Sequence, residues 1–150
     1  MIILKRTNAD HEDFKALVNL LDADLAIRDG EEHAFYDQFN KIGSIRFVVL
    51  AYEENRALGC GAIKELNGDT VEVKRMYVSP GSRKMGIASK ILSELEAWAR
   101  ELSFTKCILE TGKRQPEAVE LYKRNGYLPI PNYGPYARME NSLCFEKKLE

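Results

Sequence analysis

One stretch of the chain is built from residue types that suit an anion. Between Tyr77 and Arg100, the residues Pro80, Gly81, Ser82, Arg83, Lys84 and Gly86 separate a strand-like run from a helical one. A helix N-terminus leaves about four backbone N–H groups unpaired and carries partial positive charge. Phosphate groups bind there readily. Gly86 lets an anion approach the backbone, Ala88 leaves room one step further in, and Arg83 and Lys84 add positive charge. The pattern points to a pyrophosphate held at the end of a strand, where α/β sheets tend to bind ligands. A tight turn flanked by two solvated cations is the alternative that this stretch alone leaves open. The stretch is neither a Walker A loop nor a dinucleotide fingerprint, because G-x-x-x-x-G-K-[ST] and G-x-G-x-x-G are both absent.

The elements that must position this loop can be read from the spacing of apolar residues. Residues 2–7 form a short strand. Residues 11–23 form a helix with Asp10 as N-cap and Phe14, Leu17, Val18 and Leu21 on one face. Residues 31–42 suggest a second helix carrying Phe35, Phe39 and Ile42. Residues 45–53, 57–66 and 70–78 are rich in β-branched and aromatic residues. Asn55-Arg56 and Asn67-Gly68-Asp69 separate them, as in a three-stranded antiparallel meander. Ile87, Ile91, Leu95, Ala99 and Leu102 draw one apolar helical stripe. A strand at 105–111, a helix opening at Pro116 and closing at Asn125-Gly126, the stretch "YLPIP", an aromatic loop and a last strand follow. The expected fold is a mixed α/β sheet, with a crossover helix between the strands at 70–78 and 105–111.

Composition bounds the partners. A chain of 150 residues suggests a single domain, residues 1–150. The net charge of −1 gives no global attraction for nucleic acid or an acidic membrane, so any anion site must be local. Cys60, Cys107 and Cys144 form no CxxC and sit in apolar strands, which suits reduced, buried thiols. No apolar run is long enough for a signal-peptide core or a membrane span, so a cytoplasmic location is expected. His11 and His33 are isolated, read as surface residues, and imply no metal.

"RKMGIA", Arg83 to Ala88, matches the [QR]-x-x-G-x-[GA] signature of the GNAT superfamily of N-acetyltransferases. It follows "MYVSP", which resembles that family's strand-ending segment. "PEAVELYKRNGY", residues 116–127, resembles the family's second signature, a helix carrying Tyr and closing at Gly-Tyr. The order of elements is similar as well. The resemblance covers nearly the whole chain and is weakest over residues 8–44.

The resemblance implies acetyl-coenzyme A as cosubstrate, bound between two parallel strands that splay apart. Its pyrophosphate would lie on the backbone of Arg83, Lys84, Met85, Gly86, Ile87 and Ala88, with Ser89 as hydroxyl donor. The pantetheine arm would pair with Met76, Tyr77 and Val78, and the Val78 N–H would face the thioester oxygen. Tyr122 occupies the general-acid position; a core aromatic beside Ala118 and Leu121 is the plainer alternative. Glu72, eleven residues before Arg83, corresponds to a strand glutamate that accepts the amine's proton. Glu110, or ordered water, is the rival, and a strand carboxylate paired with a neighbouring lysine is the plain reading of Glu72. By the period of two, Glu72, Lys74, Met76 and Val78 would share one face. Many relatives carry an Asn after the fifth strand; here Thr111 and Gln115 stand nearby.

An acceptor pocket is expected from residues 24–42 and 131–140, with Tyr36, Asp37, Asn40, Tyr133 and Tyr136 offering aromatic walls and polar groups for an ammonium. The expected activity is transfer of an acetyl group from acetyl-CoA to a primary amine of a small molecule. The alternatives are a non-catalytic acyl-CoA sensor and a protein or peptide N-acetyltransferase. Acceptor identity and oligomeric state, homodimer included, are left open.

Overall fold

A computed structural model describes residues 1–43 and 45–150. The chain runs β1 (Ile2–Thr7), α1 (Glu12–Asp29), α2 (His33–Asp37), β2 (Phe47–Glu53), β3 (Arg56–Asn67), β4 (Thr70–Val78), α3 (Ile87–Glu101), β5 (Lys106–Gly112), α4 (Pro116–Arg124), β6 (Leu128–Ile130) and β7 (Ser142–Lys148). The strands form one seven-stranded sheet of order β1-β2-β3-β4-β5-β7-β6. Every neighbouring pair is antiparallel except β4 with β5. The mixed α/β fold read from the sequence is the one observed.

Helices cover both faces, which is why the central strands read as continuous apolar runs rather than alternating ones. On one face Ile87, Ile91, Leu95 and Ala99 of α3 pack on Val49, Ile63, Val71 and Val73. On the other, Phe14, Leu17, Val18 and Leu21 of α1 pack on Val48, Leu50, Cys60 and Ala62. A third, aromatic cluster joins Tyr36 to Tyr136 and Cys144. All three cysteines are free and buried.

Several local expectations are corrected. His11, not Asp10, caps α1, its Nδ1 accepting from the Asp13 N–H at 3.1 Å. His11 and His33 are both partly exposed, in keeping with surface positions. The α1 helix continues to Asp29 because Leu25 finds the core and Arg28 pairs with Asp24 one turn back. Gly30, at φ +57°, ends it. The helix expected over 31–42 shrinks to a 3-10 turn at Gly30–Glu32 and the five residues of α2. Phe39 packs edge-on against Tyr136 instead of extending a helix.

β4 departs from strict alternation. Cys60 faces Tyr77 and Ala62 faces Lys74, so Arg75 and Met76 together oppose Gly61. Arg75 takes the left-handed conformation, φ +57°. This bulge turns the strand over. Val71 and Val73 face α3 before it, and Met76 and Val78 face α3 after it. Glu72 and Lys74 therefore do not share a face with Met76 and Val78, contrary to the period-of-two expectation. Gly61 has no room for a side chain, since a Cβ there would run into Met76 and Ile91.

Candidate active site

The parallel pairing of β4 and β5 covers Thr70↔Lys106, Val71↔Cys107 and Glu72↔Ile108, and then stops. β4 continues to Val78 and β5 to Gly112, so the two strands splay and open a cleft of about 670 Å³.

At one end of the cleft lies the loop that opens α3. Gly86 is the residue before the helix, at φ +78°, and a Cβ there would meet nothing within 4 Å. No side chain caps the first turn of α3, so its leading N–H groups are left without a side-chain partner. The Arg83 Nε donates to the Val78 carbonyl at 2.8 Å, and its guanidinium lies 5.5 Å from the centre of the Tyr77 ring. Lys84 is exposed and also has positive φ, +66°. Ala88 and Ser89 line the cleft, as do Met76, Tyr77 and Val78. Ile87 lines it while its side chain is buried in the core. Met85 is exposed and stands outside the lining.

The Ser79 N–H donates to the Leu58 carbonyl at 2.8 Å. By the alternation of an antiparallel ladder, the N–H and C=O of Val78 then point away from β3, into the splay. Arg83 takes that carbonyl, which leaves the neighbouring N–H facing the cleft.

The opposite half gathers Glu72, Lys74, Glu110, Tyr36, Tyr136 and Asn40. Glu72 is buried and has both oxygens engaged. Oε2 accepts from the Tyr133 hydroxyl at 2.6 Å, and Oε1 from the Lys74 Nζ at 3.3 Å. Tyr133 reaches the cleft through this bond rather than by lining it. Tyr36 shares a hydrogen bond of 2.9 Å with the Ser142 hydroxyl and stacks on Tyr136 at 6.3 Å between ring centres. Asp37 is exposed and lies outside this group. Burial pushes the Glu110 carboxyl up to about 7, with Asp29 and Glu72 adding to the shift and Ser142 and Lys74 opposing it. Burial also raises the carboxyl of Asp29, a cleft-lining residue that sequence reasoning missed.

Tyr122 packs the core and lines the cleft at once. Its ring meets Tyr127 edge-on at 5.7 Å. Burial, and then the charge of Glu110, holds its hydroxyl well above the usual tyrosine range, so it stays protonated. Burial likewise keeps Cys60, Cys107 and Cys144 protonated, at about 12, 11 and 11.

A clasp joins α1 to α4 beside the cleft. Arg28 is paired with Asp24 and with Glu117, and its Nη1 also donates to the Arg114 carbonyl. Arg114 returns a bond to the Asp29 carbonyl at 2.7 Å. No sequence signal joins these segments. Asn125, read from the sequence only as part of a helix stop, donates to the Ser89 hydroxyl oxygen at 3.1 Å.

A splayed parallel pair with a helix N-terminus at its mouth is the arrangement that the resemblance to the GNAT superfamily implies. The match of residues 14–127 to the acetyltransferase (GNAT) family places the chain in that family. An IAA acetyltransferase of Azospirillum brasilense is 38% identical over 106 residues, 70% of this chain and 69% of that protein. An uncharacterised N-acetyltransferase of Schizosaccharomyces pombe is 30% identical over 148 residues, 89% of this chain and 90% of its own. The structure of a Klebsiella pneumoniae protein described as an acyl-CoA N-acyltransferase covers 100% of this chain and 99% of its own at 30% identity, TM-score 0.83. The PaiA N-acetyltransferase of Thermoplasma acidophilum, solved in complex with coenzyme A, shares the fold at TM-score 0.74 and 16% identity, with 99% of each chain covered. Acetyl-CoA-dependent N-acetylation is the general reaction of this family. Among the described residues, no helix is long and apolar enough to cross a membrane.

Proposed function

We propose that this chain transfers the acetyl group of acetyl-CoA to the primary amine of a small molecule, by direct attack within a ternary complex. One observation carries the proposal. The splay has an open helix N-terminus at one end, while Tyr122 and Glu110 both line the cleft, close enough for one charge to raise the other group's pKa.

In this reading the pyrophosphate rests on the N–H groups from Arg83 to Ala88, with Ser89 beside it, and the pantetheine arm runs along Met76, Tyr77 and Val78. The Val78 N–H donates to the thioester oxygen as it becomes an oxyanion. The amine enters among Tyr36, Asn40 and Tyr136. Glu72 was the first expectation for the base, but its engaged oxygens favour Glu110, whose pKa of about 7 suits proton transfer near neutrality. Glu110 takes the proton from the amine. The nitrogen forms its bond to the thioester carbon, the carbon–sulfur bond breaks, and Tyr122 donates a proton to the leaving thiolate. A covalent acyl-cysteine route is disfavoured, because all three thiols are buried and protonated. The clasp of Arg28 with Glu117 supports a confined acceptor pocket rather than an open groove for a protein chain. Free, buried thiols support a reducing compartment, the cytoplasm.

The test is a thiol-release screen with acetyl-CoA across polyamines, amino acids, aminoglycosides and short peptides. Release with a small amine is the expected result. Tight acetyl-CoA binding with no release across the panel would favour a sensor, and release with peptides alone would favour a protein acetyltransferase.

A further inference from the structure

The Asn125 amide stands at the C-terminal end of α4 and reaches across to the first turn of α3. Its Nδ2 donates to the Leu121 carbonyl at 2.8 Å and to the Ser89 Oγ at 3.1 Å. A carbonyl only accepts, so the amide atom beside Leu121 must be the nitrogen. The same nitrogen faces Ser89, and its second hydrogen goes to that oxygen. Ser89 is therefore an acceptor in this bond, and its own O–H must point elsewhere. Among the described residues no acceptor takes that hydrogen. Ser89 is partly exposed and lines the cleft beside the open N-terminus of α3.

We propose that Asn125 is a positioning residue that sets the polarity of Ser89, turning its hydroxyl hydrogen into the cleft as a fixed donor for the pyrophosphate of acetyl-CoA. This rests on the phosphate-loop reading above. Without Asn125 the hydroxyl is free to rotate and to turn its lone pairs toward the anion. With Asn125 in place, the hydroxyl is one more donor in the row begun by the backbone of Gly86, Ile87 and Ala88. Leu121 precedes Tyr122 in α4, so the same amide ties the turn that carries the proposed acid to the helix that carries the phosphates.

The experiment is calorimetry on the full chain with two probes, CoA and pantetheine, the latter carrying the arm without the pyrophosphate. Ser89→Ala and Asn125→Ala should each weaken CoA binding by roughly tenfold, the usual effect of one hydrogen bond to a charged group. The double variant should be no weaker than the poorer single one, and none of the three should change pantetheine binding. Additive losses in the double variant, or equal losses for CoA and pantetheine, would overturn the proposal and leave Asn125 a structural cap. If Asn125→Ala fails to fold, Asn125→Gly, suited to a helix C-terminus, takes its place. Wild-type protein that binds CoA no better than pantetheine would instead overturn the phosphate-loop reading itself.

Discussion

The Tyr133 hydroxyl donates to Glu72 Oε2 at 2.6 Å, tying the loop between β6 and β7 to the middle of β4. With Lys74 on the other oxygen, the carboxylate serves as an anchor. Glu72→Gln should loosen this loop and raise the KM of the amine while leaving the acidic limb of the pH–rate profile in place. Loss of that limb would return the role of base to Glu72.

Glu110 should carry the limb instead. A base works deprotonated, so kcat/KM should climb as the pH rises through about 7 and flatten above it. Glu110→Gln should abolish the limb and lower turnover by roughly 10²–10⁴-fold. The same raised pKa has a sign in stability. The folded state holds the proton more tightly than the unfolded chain, so the wild type should lose stability between about pH 4.5 and 7. Melting curves of Glu110→Gln across that range should lack the loss; an identical dependence in both proteins would place the shift elsewhere.

Tyr122→Phe removes one hydroxyl and keeps the ring against Tyr127 and Phe145. Turnover should fall by roughly 10²-fold with little change in CoA affinity or melting temperature. Full turnover per folded molecule would make Tyr122 a core residue alone.

Gly86→Ala places a Cβ in open space but in a left-handed conformation, at φ +78°. The expected cost is about 1–2 kcal/mol, seen as a lower melting temperature together with weaker CoA binding. An unchanged affinity in the folded variant would show that the loop shape at Gly86 is not needed for the phosphates.

Arg28→Ala opens the clasp to Glu117 and the Arg114 carbonyl. The amine's KM should rise by roughly two- to fivefold, the range for a partly exposed ion pair, with the KM of acetyl-CoA moving less. Steady-state kinetics varying each substrate in turn would separate the two, and a rise confined to acetyl-CoA would place the clasp on the cofactor side.

The proposed cofactor half could be read from the sequence because its parts are contiguous. Val78, Arg83 and Gly86 lie within a few residues, and the strand, loop and helix they span follow one another in the chain. The proposed acceptor half is assembled from α1, α2, β5 and the loop before β7, and no spacing announces that Tyr133 meets Glu72 or that Arg28 meets Glu117. Tyr36, Asn40, Tyr133 and Tyr136 were nevertheless picked by residue type, whereas Asp37, chosen by the same criterion, points to solvent. The extra residue at Arg75 was invisible to a count of alternating positions, so the two faces of β4 were assigned as one.

That extra residue divides β4 into two jurisdictions. In the proposed reading, Glu72 and Lys74 lie on the side where the amine would enter, while Met76 and Val78 lie beyond the bulge, where the acyl donor's arm would run along the strand. On that proposal, a lineage of such enzymes could try new acceptors in the first half of the strand without disturbing its grip on the donor. Grafting the strand from one relative to another would keep this separation only if the extra residue travels with it.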